Sequence, residues 1–106
     1  MTTLTARAVL DAQITEKQFQ QQVIDLARRY KWLVYHTHNS KHSAPGFPDL
    51  VMARDGELVV VELKTERGKV TAAQQAWLDA FEASPTVYVA VWRPSMFKSI
   101  ERVLRP

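Results

Sequence analysis

Two carboxylates and a lysine occupy apolar stretches near the middle of this chain. Asp49 stands in Gly46-Phe47-Pro48-Asp49-Leu50-Val51-Met52, where a strand begins. Glu62 and Lys64 stand in Leu58-Val59-Val60-Val61-Glu62-Leu63-Lys64, at the end of the next apolar run. Charges are costly in such surroundings unless something binds them. Side chains two apart on a strand share a face, so Glu62 and Lys64 point the same way. A turn at Asp55-Gly56, a strong hairpin signal, brings the Asp49 strand alongside. Two carboxylates this close repel and raise one pKa unless a cation intervenes. Oxygen-only ligands favour magnesium or manganese. Asp49, Glu62 and the backbone carbonyl of Leu63 are the expected ligands, with waters completing the set. Such an ion polarises a phosphoryl oxygen and lowers the pKa of water. Lys64 then holds or activates that water, or neutralises charge on the phosphate. The chemistry expected is phosphodiester hydrolysis.

Glu16 and Gln74 add a second signal. Each is polar, in the first turn of an amphipathic helix and on its inward stripe. Thr15 with Gln18, and Thr71 with Gln74, form capping boxes. Phe19, Val23, Leu26, Ala27 and Tyr30 then recur at helical spacing, and Glu16 extends that stripe by one turn. Gln74, Trp77, Leu78 and Phe81 share the face of the second helix. Two helices that begin with polar groups aimed at one sheet edge imply a shared polar site. Glu16 is expected to act on the metal directly or through water, and Gln74 to orient the phosphate or Lys64. The competing structural roles are ordinary: Asp49 in a turn, Glu62 with Lys64 as a surface pair, Glu16 serving the helix dipole, Gln74 completing its cap.

The elements that must position these residues are legible in outline. A helix is expected from Thr15 to about Tyr30, a strand from Trp32 to His38, and a polar loop from Asn39 to Pro45. Strands follow over Phe47 to Ala53 and Leu58 to Lys64, the latter apolar on both faces and hence central. Glu66 to Lys69 is a loop with Gly68 as its hinge. A helix opens at Thr71, a strand runs from Thr86 to Trp92, and a helix from Pro94 to Leu104 turns Ile100 and Leu104 inward. Thr5 to Leu10 is either a short helix or loose. The fold class is α/β, in the order α-β-β-β-α-β-α. Three antiparallel strands join a fourth, parallel one through a crossover helix, giving a mixed four-stranded sheet flanked by helices.

Length and composition agree. The 106 residues fit one domain spanning 1–106. The chain is 46% hydrophobic and 24% charged, ordinary for a globular protein. Without cysteine there is neither a disulfide framework nor a thiolate zinc site. No apolar run approaches the ~20 residues of a membrane span, and residues 1–12 lack a signal-peptide pattern. A cytoplasmic location, in a bacterium or a phage-infected host cell, is expected, with no membrane partner and no small-molecule cofactor. The net charge of +3 is compatible with a nucleic-acid partner. Arg28, Arg29 and Lys31 read as a solvated face. His38, Lys41, His42, Ser43, Arg67 and Lys69 offer donors to phosphate oxygens and are the candidate DNA contacts. His36, His38 and His42 leave zinc as an alternative, though no fourth ligand is evident.

Four segments, Gly46-Phe47-Pro48-Asp49, Val61-Glu62-Leu63-Lys64, Gly68-Lys69-Val70-Thr71 and Gln74-Gln75-Ala76-Trp77-Leu78, resemble the VRR-NUC nucleases of the PD-(D/E)xK superfamily. The resemblance covers roughly residues 15–92. It implies a restriction-endonuclease-like fold and catalytic positions at Glu16, Asp49, Glu62, Lys64 and Gln74. Stand-alone members, typical of phages and bacteria, resemble Holliday junction resolvases. This implies a homodimer acting on branched DNA with magnesium or manganese. Modules fused to larger repair proteins cut flaps as monomers, and the stand-alone mode is the expectation here. The alternatives are a DNA-binding module that does not cut by itself, or a flap- or RNA-directed nuclease of the same fold.

Overall fold

The computed structural model describes residues 5–38 and 43–106. Helix α1, Ala6–Gln13, comes first, with Thr5 as its N-cap. This settles the segment that the sequence left open between a helix and loose chain. Helix α2, Glu16–Arg29, follows with the capping box of Thr15 and Gln18 formed in both directions. Strands β1 (Leu33–His36), β2 (Leu50–Arg54) and β3 (Glu57–Leu63) lead to helix α3, Ala72–Glu82. Strand β4, Val87–Trp92, a single 3-10 turn at Pro94–Met96, and helix α4, Phe97–Leu104, complete the chain.

The sheet order is β1-β2-β3-β4. The first three strands are an antiparallel meander and β4 pairs in parallel with β3. Asp55 and Gly56 take positive φ angles of 49° and 83°, as a tight hairpin between β2 and β3 requires. The strand bounds differ from the sequence expectation at their ends. β1 is shorter than Trp32 to His38, and β2 begins at Leu50 rather than Phe47, because Phe47 and Pro48 run in a loop before the ladder starts.

Alternation along the strands separates two faces. Leu50, Met52, Val59, Val61, Leu63 and Trp92 pack with Phe19, Val23, Ile24 and Ala27 of α2 and with Ile100 and Leu104 of α4. This is the main core, and its members are nearly inaccessible to water. Val60 and Glu62 face the other way, toward α3, which contacts β3 and β4. That face is covered only in part: Leu33 and Tyr35 of edge strand β1 are 77% and 59% exposed. Both central strands therefore deliver side chains to one sheet end, where α2 begins on one face and α3 on the other. No helix among the described residues is long and apolar enough to cross a membrane.

Candidate active site

Asp49 precedes β2 directly and stands opposite Glu62, since Leu50 pairs with Val61. Its backbone is fixed from the β1 side. Thr37 donates its N–H to Asp49 O at 2.8 Å and its hydroxyl to Pro48 O at 2.7 Å. The Asp49 side chain is fixed from the β3 side, accepting the Leu63 N–H at Oδ2 over 2.8 Å. Pro48 has no N–H to give to a ladder, so the chain enters β2 without extending it backward.

Glu62 is the second carboxylate, 1% exposed. Its Oε1 accepts from Gln74 Nε2 at 3.2 Å. Gln74 is the third residue of α3, where its own Oε1 accepts the Thr71 N–H at 2.9 Å. One amide thus completes the capping box and reaches the site. Glu62 Oε2 is buried with no hydrogen-bond partner among the described residues. Burial pushes the Glu62 carboxyl up to about 8, with a smaller rise from hydrogen bonding to and the charge of Asp49, against which Lys64 acts. Oε2 has no donor among the described residues, and a hydrogen bond between the Glu62 and Asp49 carboxyls requires that one of them carry a proton.

Glu16, the first residue of α2, brings a third carboxylate. One oxygen from each of Glu16, Asp49 and Glu62 lies within 4.8 Å of the other two. The Glu16 carboxyl is also raised, by partial burial first and then by Asp49, with Lys64 lowering it. Three acids crowd one point, and among the described residues Lys64 is the cation that acts on them. A hard divalent cation fits this donor set: all candidate ligands are oxygens, and Glu62 Oε2 is buried with no hydrogen-bond partner among the described residues.

Lys64 follows the end of β3, and its N–H still pairs with Trp92 O at 3.0 Å. Its side chain lines the same cleft as the acids and Gln74, an open cavity of about 930 Å³. All five residues expected to form the centre are therefore brought together. Of the expected DNA contacts, His38 and Ser43 line the cleft, and Ser43 Oγ donates to His38 O at 2.9 Å. Arg67 and Lys69 are exposed on the loop after Lys64, outside the cleft lining. Lys41 and His42 lie outside the described residues. His36 and His38 share a face as expected, with ring centroids 4.3 Å apart. Among the described residues neither joins the metal-capable group, which contains only the three acids. The Arg28, Arg29 and Lys31 cluster sits at the far end of α2, about 20 Å from Glu16 along the helix.

Several contributors carry no obvious signature in the sequence. Arg93 Nη1 donates to Thr65 O and Gly68 O, both at 2.7 Å, and to Glu66 O at 3.3 Å. Ser95 N–H donates to Glu66 Oε2 at 3.1 Å. The loop beyond Lys64 is thereby fastened to the end of β4. Trp77 Nε1 donates to Pro45 O at 3.1 Å. Only Thr37, a hydroxyl on the residue paired with Asp49, could have been suspected from strand register.

The model of the VRR-NUC domain family matches residues 4–94. Among solved structures, one described as a VRR_NUC domain is 22% identical, with 83% of this chain and 91% of that chain covered and a TM-score of 0.65. Another, described as a VRR_NUC domain protein, is 20% identical, with coverage of 86% and 88% and a TM-score of 0.66. These likenesses concern the fold. No curated protein matches.

Proposed function

From the premise that this chain belongs to the VRR-NUC domain family, nucleases of the PD-(D/E)xK type, we propose that it is a metal-dependent, structure-selective endodeoxyribonuclease. Its substrate is branched DNA of the Holliday junction kind, and it works as a homodimer. The observation that carries the metal-dependent reading is the Glu62 carboxylate, 1% exposed, with one oxygen unpartnered among the described residues and two further acids within 4.8 Å. Asp49, Glu62 and the Leu63 carbonyl would hold magnesium or manganese, with Glu16 joining directly or through water. When bound, such an ion supplies the charge that polarises a phosphoryl oxygen and acidifies water.

The chain's own groups do the rest. Gln74 holds the Glu62 carboxylate by its Oε1, leaving Oε2 without a donor among the described residues. The Leu63 N–H holds Asp49. Lys64 offsets the negative charge of the phosphate among three acids that would otherwise repel it. Hydrolysis forms a phosphorus–oxygen bond from water and breaks the one to a sugar. Water loses a proton and the departing sugar oxygen gains one. Two such sites related by a two-fold axis suit a four-way junction, which has two strands to cut.

The test is digestion of an end-labelled four-way junction beside a flap, a linear duplex and RNA, with manganese, magnesium or chelator. Paired symmetric nicks in the junction, lost in chelator, are expected. Asp49→Ala and Glu62→Ala should reduce cutting to background while circular dichroism and junction binding are kept. Cutting by both variants in magnesium would overturn the assignment. Nicks confined to one strand of a flap would replace the dimeric junction mode with a monomeric one.

A further inference from the structure

The loop that leads to Asp49 is joined to the helix that carries Gln74 by three independent contacts. Gly46 has a φ of +81°, the left-handed region that favours glycine. Its α-carbon lies so close to the first turn of α3 that an added Cβ would come within 2.6 Å of Ala73 O and 2.7 Å of Gln74 N. Trp77, one turn further along α3, donates its indole N–H to Pro45 O. The Phe47 ring meets Trp77 edge-on at 5.0 Å and Phe81 at 6.0 Å. The next residues after Phe47 are Pro48, held by the Thr37 hydroxyl, and Asp49. From Ala73 the next residue is Gln74, whose amide holds Glu62. Both carboxylates that face each other across β2 and β3 therefore take their positions through one junction of loop and helix.

We infer that Gly46, Phe47 and Trp77 form a clasp that sets Asp49 and Gln74 relative to Glu62, making these three positioning residues for the reaction. The inference rests on the nuclease reading for its catalytic consequence, and on geometry alone for the clasp. A side chain at position 46 must push α3 outward, and the Gln74 amide, at 3.2 Å from Glu62, moves with it. A displacement of about 1 Å in a catalytic group costs roughly a hundredfold in rate. Losing the single indole hydrogen bond is milder, about tenfold.

Gly46→Ala and Trp77→Phe test this, the second keeping a ring against Phe47 and Phe81. In the metal-free protein, amide exchange and ¹⁵N spectra read the clasp directly. The Leu63 N–H, bonded to Asp49, and the Gln74 side-chain amide should shift, with Leu63 exchanging faster, while the Val59 amide in the same strand stays unchanged. With metal, both variants should lose cleavage rate by about those factors, need more manganese for half-saturation, and bind the junction as wild type does. Unchanged Leu63 and Gln74 signals would overturn the clasp whatever the activity. So would a loss of rate that only follows the unfolded fraction. If the signals move but wild type neither binds manganese nor cuts DNA, the clasp stands and the nuclease reading falls.

Discussion

An ionised carboxylate removed from water needs a donor or a cation at each oxygen. Among the described residues, Glu62 has a donor at Oε1 only. Without metal the folded state therefore favours its protonated form, with a pKa pushed to about 8 by burial and by Asp49. The unfolded chain has the ordinary value of 4.5. Because the folded value is the higher one, the native state binds more protons between the two. The stabilising effect is complete below about pH 4.5 and is lost as pH rises toward 8. In chelator, the melting temperature should fall between pH 5 and pH 8, by about 5 °C or more. Glu62→Gln, which keeps an acceptor for Gln74, should flatten that profile. Manganese should raise the melting temperature of wild type at pH 8 and leave Glu62→Gln nearly unmoved. A flat wild-type profile in chelator would count against the buried-charge account. The carboxylates were legible in the sequence because acids on apolar strands are costly. Glu16 and Gln74 were legible because polar residues on inward helical stripes are unusual. The Leu63 N–H that holds Asp49 was not, since every residue but proline has one.

Elements place these residues through contacts that sequence patterns do not encode. Three main-chain carbonyls of the loop after Lys64 converge on one nitrogen of Arg93. Hydrogen bonds with a charged donor are about twice as strong as neutral ones. Removing the donor should free the loop that carries Arg67 and Lys69. In Arg93→Ala, trypsin should cut after Arg67 and Lys69 sooner than in wild type, with cutting after Arg28 and Arg29 unchanged. Junction affinity in chelator should weaken by about tenfold, and Arg93→Lys should recover part of it because an ammonium reaches fewer carbonyls. Equal trypsin rates in wild type and Arg93→Ala would refute the clamp. Nothing in the stretch Trp92-Arg93-Pro94 distinguishes this arginine from a solvated one, because its acceptors are carbonyls of residues of any type. The starts of α2 and α3 are legible to within a residue because capping boxes mark them, whereas α1 runs to Gln13, three residues past the stretch the sequence suggests, and α4 starts only at Phe97, after a 3-10 turn. Strands β1, β2 and β4 are shorter than their apolar runs, and β3 is shifted by one residue, because pairing ends where a partner ends and hydrophobicity does not.

At the scale of the whole molecule, the two ends of the sheet are built differently. One end holds three acids at close quarters. The other holds a latch centred on Arg54, about 17 Å along β2 from Asp49. The Arg54 guanidinium lies 4.3 Å from the centroid of the Trp32 ring. Its Nη1 donates to Tyr30 O at 2.9 Å and Leu104 O at 2.8 Å, closing the C-terminal ends of both α2 and α4. Trp32 Nε1 shares Leu104 O at 2.8 Å, and Tyr30 OH donates to Glu101 Oε1 at 2.8 Å. The parallel pairing of β3 with β4 was legible from the helix between them, but this latch joins residues 50 apart and was not. A charged donor and a cation–π contact together are worth about 2–3 kcal/mol. Arg54→Ala should lower unfolding free energy in urea by about that amount. Below the new melting range it should cut the junction at the wild-type rate and with the wild-type manganese dependence, because among the described residues no contact of Arg54 reaches the three acids. Asp49→Asn is the converse: it removes cutting and, in chelator at pH 8, should gain stability as one repelling charge leaves the cluster. Loss of cutting by folded Arg54→Ala would show that the two ends are coupled through β2, against the separation drawn from these contacts.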